Sequence, residues 1–285
     1  MTFSGLTFAE ALMEARRMLA SSPTPQLDAR VLLEHAAGMD RAELIGAERE
    51  IVPNEAAEIF AASVARRAKQ EPVAYITGEQ GFWEDTFHVG PGVLIPRPET
   101  EMLVDAGLRC TPTRILDLGT GSGCILLSLL RELPDANGIG IDASEIALGY
   151  ARRNKHRLGL TERAELRLQT FAEALEAFEA ESFDLVVANP PYVPESQELQ
   201  PSVVDHEPDA ALFSGADGLE AHRTCAAIMA KVLTPNGSGF AEIGHDQGQS
   251  ALAVYAKALP GRTVRVRPDM KGLPRMVAVS PNAGL

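Results

Sequence analysis

The fold of this 285-residue chain is decided by one stretch, Ile115-Leu116-Asp117-Leu118 followed directly by Gly119-Thr120-Gly121-Ser122-Gly123. The first four residues are mostly apolar and predict a buried strand. The glycines that follow allow positive φ and let the backbone approach a ligand closely. A helix after such a loop points its free amides into the crevice at the strand ends. The stretch therefore predicts the ligand-binding edge of an open α/β sheet.

The chain after Glu99 alternates between strand-like and helix-like patterns, which is typical of a mostly parallel sheet covered by helices on both faces. The predicted strands are Arg114–Leu118, Gly138–Asp142, Glu165–Leu168, Phe183–Ala188, Gly239–Ile243, Thr263–Val266 and Met276–Ser280. The predicted helices are Cys124–Glu132, Glu145–Leu158, Leu219–Leu233 and Gln247–Ala258. A turn at 271–275 joins the last two strands, so we expect that pair to be antiparallel.

The residues before Glu99 predict two further regions. Thr7 and Glu10 have the spacing of a capping box that opens a helix. Further helices are expected at 27–37, 40–46 and 53–70, which together predict a small N-terminal helical bundle. Glycine turns between β-prone residues then predict a hairpin linker. The predicted domains are 1–72 for the bundle, 73–98 for the linker and 99–285 for the α/β domain.

The composition narrows the class of protein. The formal net charge of −13 argues against a protein that grips nucleic acid through its phosphates, because such binding needs clustered Lys and Arg. No apolar run approaches the length that crosses a bilayer, and residues 1–20 lack the basic leader of a signal peptide. The three cysteines are scattered and lack metal-ligand spacing. We therefore expect a cytoplasmic protein with no metal site and no membrane association.

The glycine loop and the next strand predict a nucleoside site. A dinucleotide-binding fingerprint needs a third glycine at the sixth position of the loop, where Cys124 stands. Asp142 ends the following strand about 20 residues after the loop, where an acid can accept hydrogen bonds from a ribose diol; Asp142 is equally suited to cap the next helix. Phe171 follows the third strand, where its ring fits stacking on adenine and a place in the core equally well.

A second motif, Asn189-Pro190-Pro191-Tyr192, follows the predicted strand Phe183–Ala188. Each proline fixes φ and removes a backbone donor, and Asn189 is held extended because it precedes a proline. The result is a stiff ledge that can hold a planar amide or amino group by its hydrogens. A plain proline-rich turn is the alternative interpretation, but Asn before the prolines and Tyr after them favour the functional one.

The ledge is followed by a long loop, 194–218, which we expect to border a substrate groove. We interpret His206 and Glu207 within it as a solvated pair. Glu242, at the end of another strand, is interpreted as a paired acid behind the site, and Arg97 as a structural residue that pins the linker.

The glycine loop, Asp142 and the ledge, in this order, resemble the motifs of class I methyltransferases that use S-adenosyl-L-methionine. The Asn-Pro-Pro-Tyr sequence is similar to that of enzymes that methylate nitrogen. The stretch Leu94-Ile95-Pro96-Arg97-Pro98-Glu99-Thr100-Glu101 resembles the signature of the HemK/PrmC family, the peptide chain release factor glutamine methyltransferases. This resemblance covers nearly the whole chain. It implies an α/β fold with a Rossmann-like, seven-stranded class I methyltransferase domain, preceded by a small helical bundle that recognises the substrate and by a β-hairpin linker.

The resemblance also implies a role for each motif residue. Gly119 to Gly123 would hold the methionine and ribose parts of the cofactor, and Asp142 would bind the ribose hydroxyls. Phe171 would take the adenine-stacking position, where relatives often carry Trp. Asn189 and Pro190 would be the catalytic residues, with Asn189 also beside the cofactor. The substrate-binding residues so implied are Asn189, Pro190, Pro191 and Tyr192.

The implied reaction methylates the side-chain amide nitrogen (N5) of the glutamine in the Gly-Gly-Gln motif of class 1 release factors and leaves S-adenosyl-L-homocysteine. Two other nitrogen methylations stay open, of a glutamine in a ribosomal protein and of adenine N6 in nucleic acid. A non-enzymatic binding module is a further alternative, which a broken loop or ledge would indicate; both are intact. We expect a monomer that binds a release factor and makes no direct contact with nucleic acid.

Overall fold

The computed structural model describes residues 2–282, and the chain forms two compact units. The helical unit comprises Met1–Glu79 and Leu199–His206, and the sheet unit comprises Gln80–Glu198 and Glu207–Leu285. Met1 and residues 283–285 lie outside the described residues. The predicted linker is divided between the two units, at the boundary between Glu79 and Gln80, and the predicted three-part division stays a prediction.

The helical unit confirms the predicted bundle. Its helices are α1 (Phe8–Met18), α2 (Pro25–Ala37), α3 (Arg41–Gly46), α4 (Asn54–Arg67), α5 (Val73–Thr77) and, from the second segment, α10 (Pro201–Val204). The capping box is present, since the Thr7 amide donates to the Glu10 carboxylate at 2.8 Å and the Glu10 amide donates to Thr7 Oγ1 at 3.3 Å. Phe3 and Phe60 pack in the core with ring centroids 4.5 Å apart.

The sheet unit contains the predicted hairpin and the predicted seven-stranded sheet. The hairpin is formed by β1 (Glu79–Phe82) and β2 (Asp85–His88). The strands of the large sheet are β3 (Arg114–Leu118), β4 (Asn137–Asp142), β5 (Ala164–Leu168), β6 (Phe183–Ala188), β7 (Leu233–Glu242), β8 (Arg262–Pro268) and β9 (Pro274–Pro281). They lie in the order β5-β4-β3-β6-β7-β9-β8. The pair β8 and β9 is antiparallel, as predicted, and β9 also runs antiparallel to β7.

Helices cover both faces of this sheet. They are α6 (Glu101–Leu108), α7 (Cys124–Glu132), α8 (Glu145–Arg157), α9 (Phe171–Ala177), α11 (Asp209–Leu212), α12 (Glu220–Val232) and α13 (Gly248–Ala258). Alternate strand residues enter different cores, because successive side chains point to opposite faces. Leu185 and Val187 of β6 belong to one buried cluster, and Val186 and Ala188 belong to the other.

Some elements differ from the sequence prediction. β7 begins at Leu233 rather than Gly239, and its pairing with β6 shifts register in a stretch that contains Pro235 and Gly237. The sequence patterns leave α6 and α9 unpredicted, although Thr170 and Glu173 form a capping box whose spacing is visible in the sequence. Among the described residues, no helix is long and apolar enough to span a membrane.

Candidate active site

The sheet topology brings the two sequence motifs together. β3 lies between β4 and β6, so the chain leaves β3 on one side for β4 and later returns to its other side as β6. Leu118, the last residue of β3, pairs in register with Ala188, the last residue of β6. The glycine loop and the ledge therefore begin at neighbouring positions on the same sheet edge, where ligands of open α/β sheets bind.

The glycine loop contains residues in the left-handed backbone conformation, and it passes close to Phe171 and Asn189. Gly119 and Gly121 have φ values of 73° and 58°, which favour glycine. A Cβ on Gly119 would lie 3.4 Å from the Phe171 ring and 3.9 Å from the backbone oxygen of Asn189. The amides of Gly119 and Thr120 both donate to the Ile141 carbonyl, at 3.0 and 2.8 Å. The loop is thus fixed against β4.

Asp142 binds the same loop from the end of β4. Its Oδ2 accepts a hydrogen bond from the Gly121 amide at 2.8 Å, and its Oδ1 accepts one from the Ser144 amide at 2.8 Å. The N-cap of α8 is Ser144, which accepts from the Ala147 amide at 3.2 Å. Burial raises the pKa of Asp142, and the three backbone donors around it oppose that rise. Each carboxylate oxygen keeps a second lone pair for a further donor.

Asp117, the third residue of the motif, is fully buried beneath the loop. Its Oδ2 accepts a hydrogen bond from Thr120 Oγ1 at 2.7 Å, whereas its Oδ1 has no partner in the protein. Burial raises the pKa of Asp117 to about 7. This acid therefore shapes the loop from below.

The wall beyond the loop is formed by the start of α9. Phe171 is the first residue of that helix, and its ring lines the cavity while it also packs against a buried cluster of the sheet. The ring thus contributes both to the core and to the cavity wall, and its stacking on adenine stays a prediction. Gln169 also lines the cavity, and its Oε1 is buried without a hydrogen-bond partner. The sequence analysis missed Gln169, because a single amide after a strand carries no recognisable pattern.

The ledge is supported from behind by residues far away in the sequence. Asn189 Nδ2 donates to Thr100 Oγ1 at 3.2 Å, and Thr100 donates to Glu242 Oε2 at 2.6 Å. The Tyr192 hydroxyl donates to Glu242 Oε1 at 3.2 Å. Glu242 thus lies directly behind the ledge and has two partners. Thr100 is a further site residue that the sequence analysis missed as an individual, although it lies within the quoted linker stretch.

The long loop after the ledge is held at both of its ends. Val193 and Phe213 form a β-bridge, and the Val193 amide donates to the Leu212 carbonyl at 2.9 Å. Glu207 is 4% exposed; it accepts from the Ile95 amide at 3.0 Å and pairs with Arg97. The interpretation of Glu207 as a solvated residue is wrong, because Arg97 and a backbone amide compensate its burial.

These parts enclose a cavity of about 390 Å³ within the sheet unit. Of the sequence-predicted site residues, the lining includes Gly119, Thr120, Gly121, Ser122, Asp142, Phe171, Asn189 and Pro191. It does not include Gly123, which precedes α7 as its N-cap, nor Pro190 or Tyr192. Pro208, Ala210 and Ala211 of the long loop line the cavity as well, whereas Leu199–His206 belongs to the helical unit. Among the described residues, no cluster of side chains has the composition of a metal site.

Comparisons with known proteins agree with this architecture. The PrmC N-terminal domain model matches residues 10–78, and a methyltransferase domain model matches residues 111–246. A release factor glutamine methyltransferase from Caulobacter vibrioides is 41% identical over 280 residues, which are 95% of this chain and 96% of that protein. The chain belongs to the release factor glutamine methyltransferase family. The family predicted from the motifs is thereby confirmed, and the chain is a methyltransferase.

Further relatives point the same way. A release factor glutamine methyltransferase from Cereibacter sphaeroides is 42% identical over 95% of this chain and 97% of its own. Among solved structures, an O-methyltransferase family protein from Burkholderia thailandensis has a TM-score of 0.50 at 16% identity, over 80% of this chain and 63% of its own. A Thermus thermophilus 16S rRNA N2 G1207 methyltransferase also has a TM-score of 0.50, at 18% identity, over 72% of this chain and 50% of its own. At these identities the structural likeness shows the fold alone.

Proposed function

We propose that this chain transfers the methyl group of S-adenosyl-L-methionine to the side-chain amide nitrogen (N5) of the glutamine in the Gly-Gly-Gln motif of class 1 peptide chain release factors. S-adenosyl-L-homocysteine is the other product. The observation that carries the proposal is the cavity in which the glycine loop and Asn189 lie side by side. Relatives at 41% and 42% identity that are named release factor glutamine methyltransferases support the choice of substrate.

The residues around the cavity fit this cofactor. Gly119 and Gly121 leave space that a side chain would fill, and the volume lies in the usual range for small-molecule sites. Asp142 has free lone pairs for the ribose hydroxyls, and Phe171 offers a ring face for adenine. The unpartnered Gln169 Oε1 can accept from the adenine amino group. When bound, the cofactor supplies a methyl group activated by its sulfonium.

The ledge holds the acceptor. The nitrogen of a carboxamide is a weak nucleophile because its lone pair is delocalised into the carbonyl, so the main task of the protein is alignment. Asn189 Oδ1 and the Pro190 carbonyl oxygen accept the two amide hydrogens of the substrate. These bonds strengthen as positive charge develops on the nitrogen, and they therefore stabilise the transition state more than the ground state. The methylated amide is a strong acid and loses its extra proton to water, so no protein base is required.

The alternative acceptors are less favoured. The relatives are named for release factors, and neither ribosomal protein nor DNA figures in their names. The net charge of −13 is also unsuited to a duplex nucleic acid. The test is incubation with labelled cofactor and either a class 1 release factor, a ribosomal extract or duplex DNA. We expect a single methyl group on the Gly-Gly-Gln glutamine by mass spectrometry; label in the DNA alone would overturn the proposal.

The same proposal gives the helical unit the task of recognising the release factor. Ile45, in α3, is 58% exposed and offers an apolar contact. Ile45→Asp should raise the KM for the release factor about fivefold, the effect of roughly one lost apolar contact, and should leave kcat unchanged. Met270→Asp, in the turn between β8 and β9 of the sheet unit, is the control because Met270 is fully exposed. Equal KM values for both variants would contradict this role.

A monomeric state, a cytoplasmic location and the absence of direct nucleic-acid binding complete the proposal. The acidic charge and the three unpaired cysteines support it. Light scattering of the purified chain tests the monomeric state, and a gel-shift assay with duplex DNA at low salt tests the absence of nucleic-acid binding. A dimer mass or a salt-dependent shift would contradict them.

A further inference from the structure

A hydrogen-bonded chain runs from the cavity into the interior behind the ledge. It begins at Asn189, passes through Thr100 and ends at Glu242, which also accepts from Tyr192. Thr100 and Glu242 are 2% and 1% exposed, so solvent does not compete for their hydrogen bonds. Each member comes from a different segment of the sheet unit: β7 ends at Glu242, the ledge follows β6, and Thr100 lies in the short 3-10 turn Pro98–Thr100.

The protons that these hydrogen-bonded side chains carry decide which group donates in each hydrogen bond between them. An ionised carboxylate accepts only, so Glu242 takes the single hydroxyl proton of Thr100. Thr100 then has only lone pairs to offer Asn189. Asn189 must therefore turn its NH2 group towards Thr100, which directs its Oδ1 away from Thr100, towards the cavity that both residues line. That is the orientation in which Asn189 accepts a hydrogen from a substrate amide.

A proton on Glu242 would allow the opposite arrangement. A protonated Glu242 can donate to Thr100, and Thr100 can then donate its own proton to Asn189 Oδ1. The Asn189 NH2 would face the cavity and would oppose the NH2 of the incoming glutamine. The two orientations have almost the same shape, so packing alone does not distinguish between them.

We propose that Glu242, acting through Thr100, is the positioning residue that sets the amide orientation of Asn189 and so makes the ledge an acceptor. Tyr192 contributes by satisfying the second oxygen of Glu242. This inference rests on the proposed function, because it concerns the group that receives the substrate amide.

The charges around Glu242 decide when it holds a proton. Arg275 of β9 and the hydroxyl donors Thr100 and Tyr192 favour its ionised form. Burial and Glu99 favour the protonated form, and burial is the larger effect, so the pKa of Glu242 is raised. The charge of Arg97 acts to lower the pKa of Tyr192, and the charge of Glu242 acts to raise the pKa of the Cys124 thiol of α7. As the pH falls, Asn189 should therefore stop accepting the substrate amide at a higher pH than it would if Glu242 had the pKa of an ordinary glutamate.

The first test is Glu242→Gln, which keeps the shape but removes the charge. We expect kcat for release factor methylation to fall about tenfold, the effect of one lost net hydrogen bond in the transition state. The dissociation constant of the cofactor, measured by calorimetry, should stay within about twofold. The acidic limb of the pH profile of kcat should shift or disappear in the variant, which a merely structural role would not cause.

A second pair of variants avoids dependence on the folding of Glu242→Gln. Thr100→Val removes the link at nearly constant volume, whereas Thr100→Ser keeps the hydroxyl. Thr100→Val should lower kcat about tenfold, whereas Thr100→Ser should keep most of the wild-type kcat. In the Asn189→Ala background, Glu242→Gln should cause no further loss, because Glu242 acts only through Asn189.

Several results would overturn the inference. One is an unchanged kcat in Glu242→Gln, and another is equal kcat values for Thr100→Val and Thr100→Ser. A third is a fall in kcat of the double variant Asn189→Ala/Glu242→Gln that equals the product of the two single falls. A weakened cofactor affinity with an intact kcat would also contradict it. A wild-type chain that methylates no release factor would instead overturn the proposed function, and this inference with it.

Discussion

The two halves of the cavity are built in different ways. The cofactor half and the acceptor half are named for the ligands that we propose for them. The cofactor half comprises the loop Gly119–Gly123 with Asp142 and Phe171, and amides of the loop donate to the Ile141 carbonyl and the Asp142 carboxylate of the neighbouring strand. The acceptor half, formed by the ledge, depends on side chains 89 and 142 positions apart in the sequence. The first half is preformed by local chain geometry. The second is positioned by a side-chain network, so its function should be more sensitive to single polar substitutions.

The largest effect should come from Asn189→Ala. It removes an acceptor that strengthens in the transition state, so we expect a loss of about 2.7–4 kcal/mol, or roughly 100- to 1,000-fold in kcat. Cofactor affinity should persist because the cofactor half is built separately. Single-turnover kinetics and calorimetry measure the two quantities. A collapse of cofactor affinity in a folded variant would break the comparison between the halves.

The next effect should come from Asp142→Asn, in the other half. One acceptor oxygen is replaced by a donor that faces the Gly121 or Ser144 amide, so the loop loses a support and the ribose loses an acceptor. We expect cofactor affinity to weaken by about 1–3 kcal/mol and kcat at saturating cofactor to change little. Asp135→Asn, at an exposed site, is the control. An unchanged dissociation constant would remove Asp142 from the cofactor site.

The arrangement of the glycine loop and Asp142 at one sheet edge could be predicted because its information is local, while their binding of the cofactor stays a prediction. A contiguous glycine loop and an acid at a fixed distance along the chain are readable, and all seven strands of the sheet were found. Nothing local shows which partners Glu242 will meet. For the same reason, the burial of Glu207 against Arg97, 110 residues away, escaped prediction. Pairings between distant side chains are set by tertiary packing, which a residue pattern does not contain.

A third prediction compares the buried acids of the two halves. Both oxygens of Glu242 have partners, whereas Oδ1 of Asp117 has none. Burial raises the pKa of Asp117 from 3.8 to about 7, so the folded chain holds this proton more tightly than the unfolded chain. Its contribution to stability is therefore complete below pH 3.8 and is lost as the pH rises through about 7.

Asp117→Asn should remove the loss of folding stability at high pH, because an amide does not ionise. We expect the variant to gain about 1–2 kcal/mol of unfolding free energy relative to the wild type at pH 8, and little at pH 4. Thermal unfolding at a series of pH values measures the difference, with Asp135→Asn again as the control. Curves for Asp117→Asn and wild type that run parallel from pH 4 to 8 would show that Asp117 does not titrate in this range.

The smallest effect tests whether the cofactor half also contains a specific polar contact. Gln169 lines the cavity, and its Oε1 is a buried acceptor without a partner. If it accepts from the adenine amino group, Gln169→Leu should weaken cofactor affinity by about 1 kcal/mol, roughly fivefold. A cofactor analogue with hypoxanthine in place of adenine lacks that amino group. It should bind the wild type more weakly than the natural cofactor does, and Gln169→Leu should discriminate less between the two. Equal discrimination by wild type and variant would mean that the amide faces no adenine, and that the cofactor half binds the base by its ring face and shape alone.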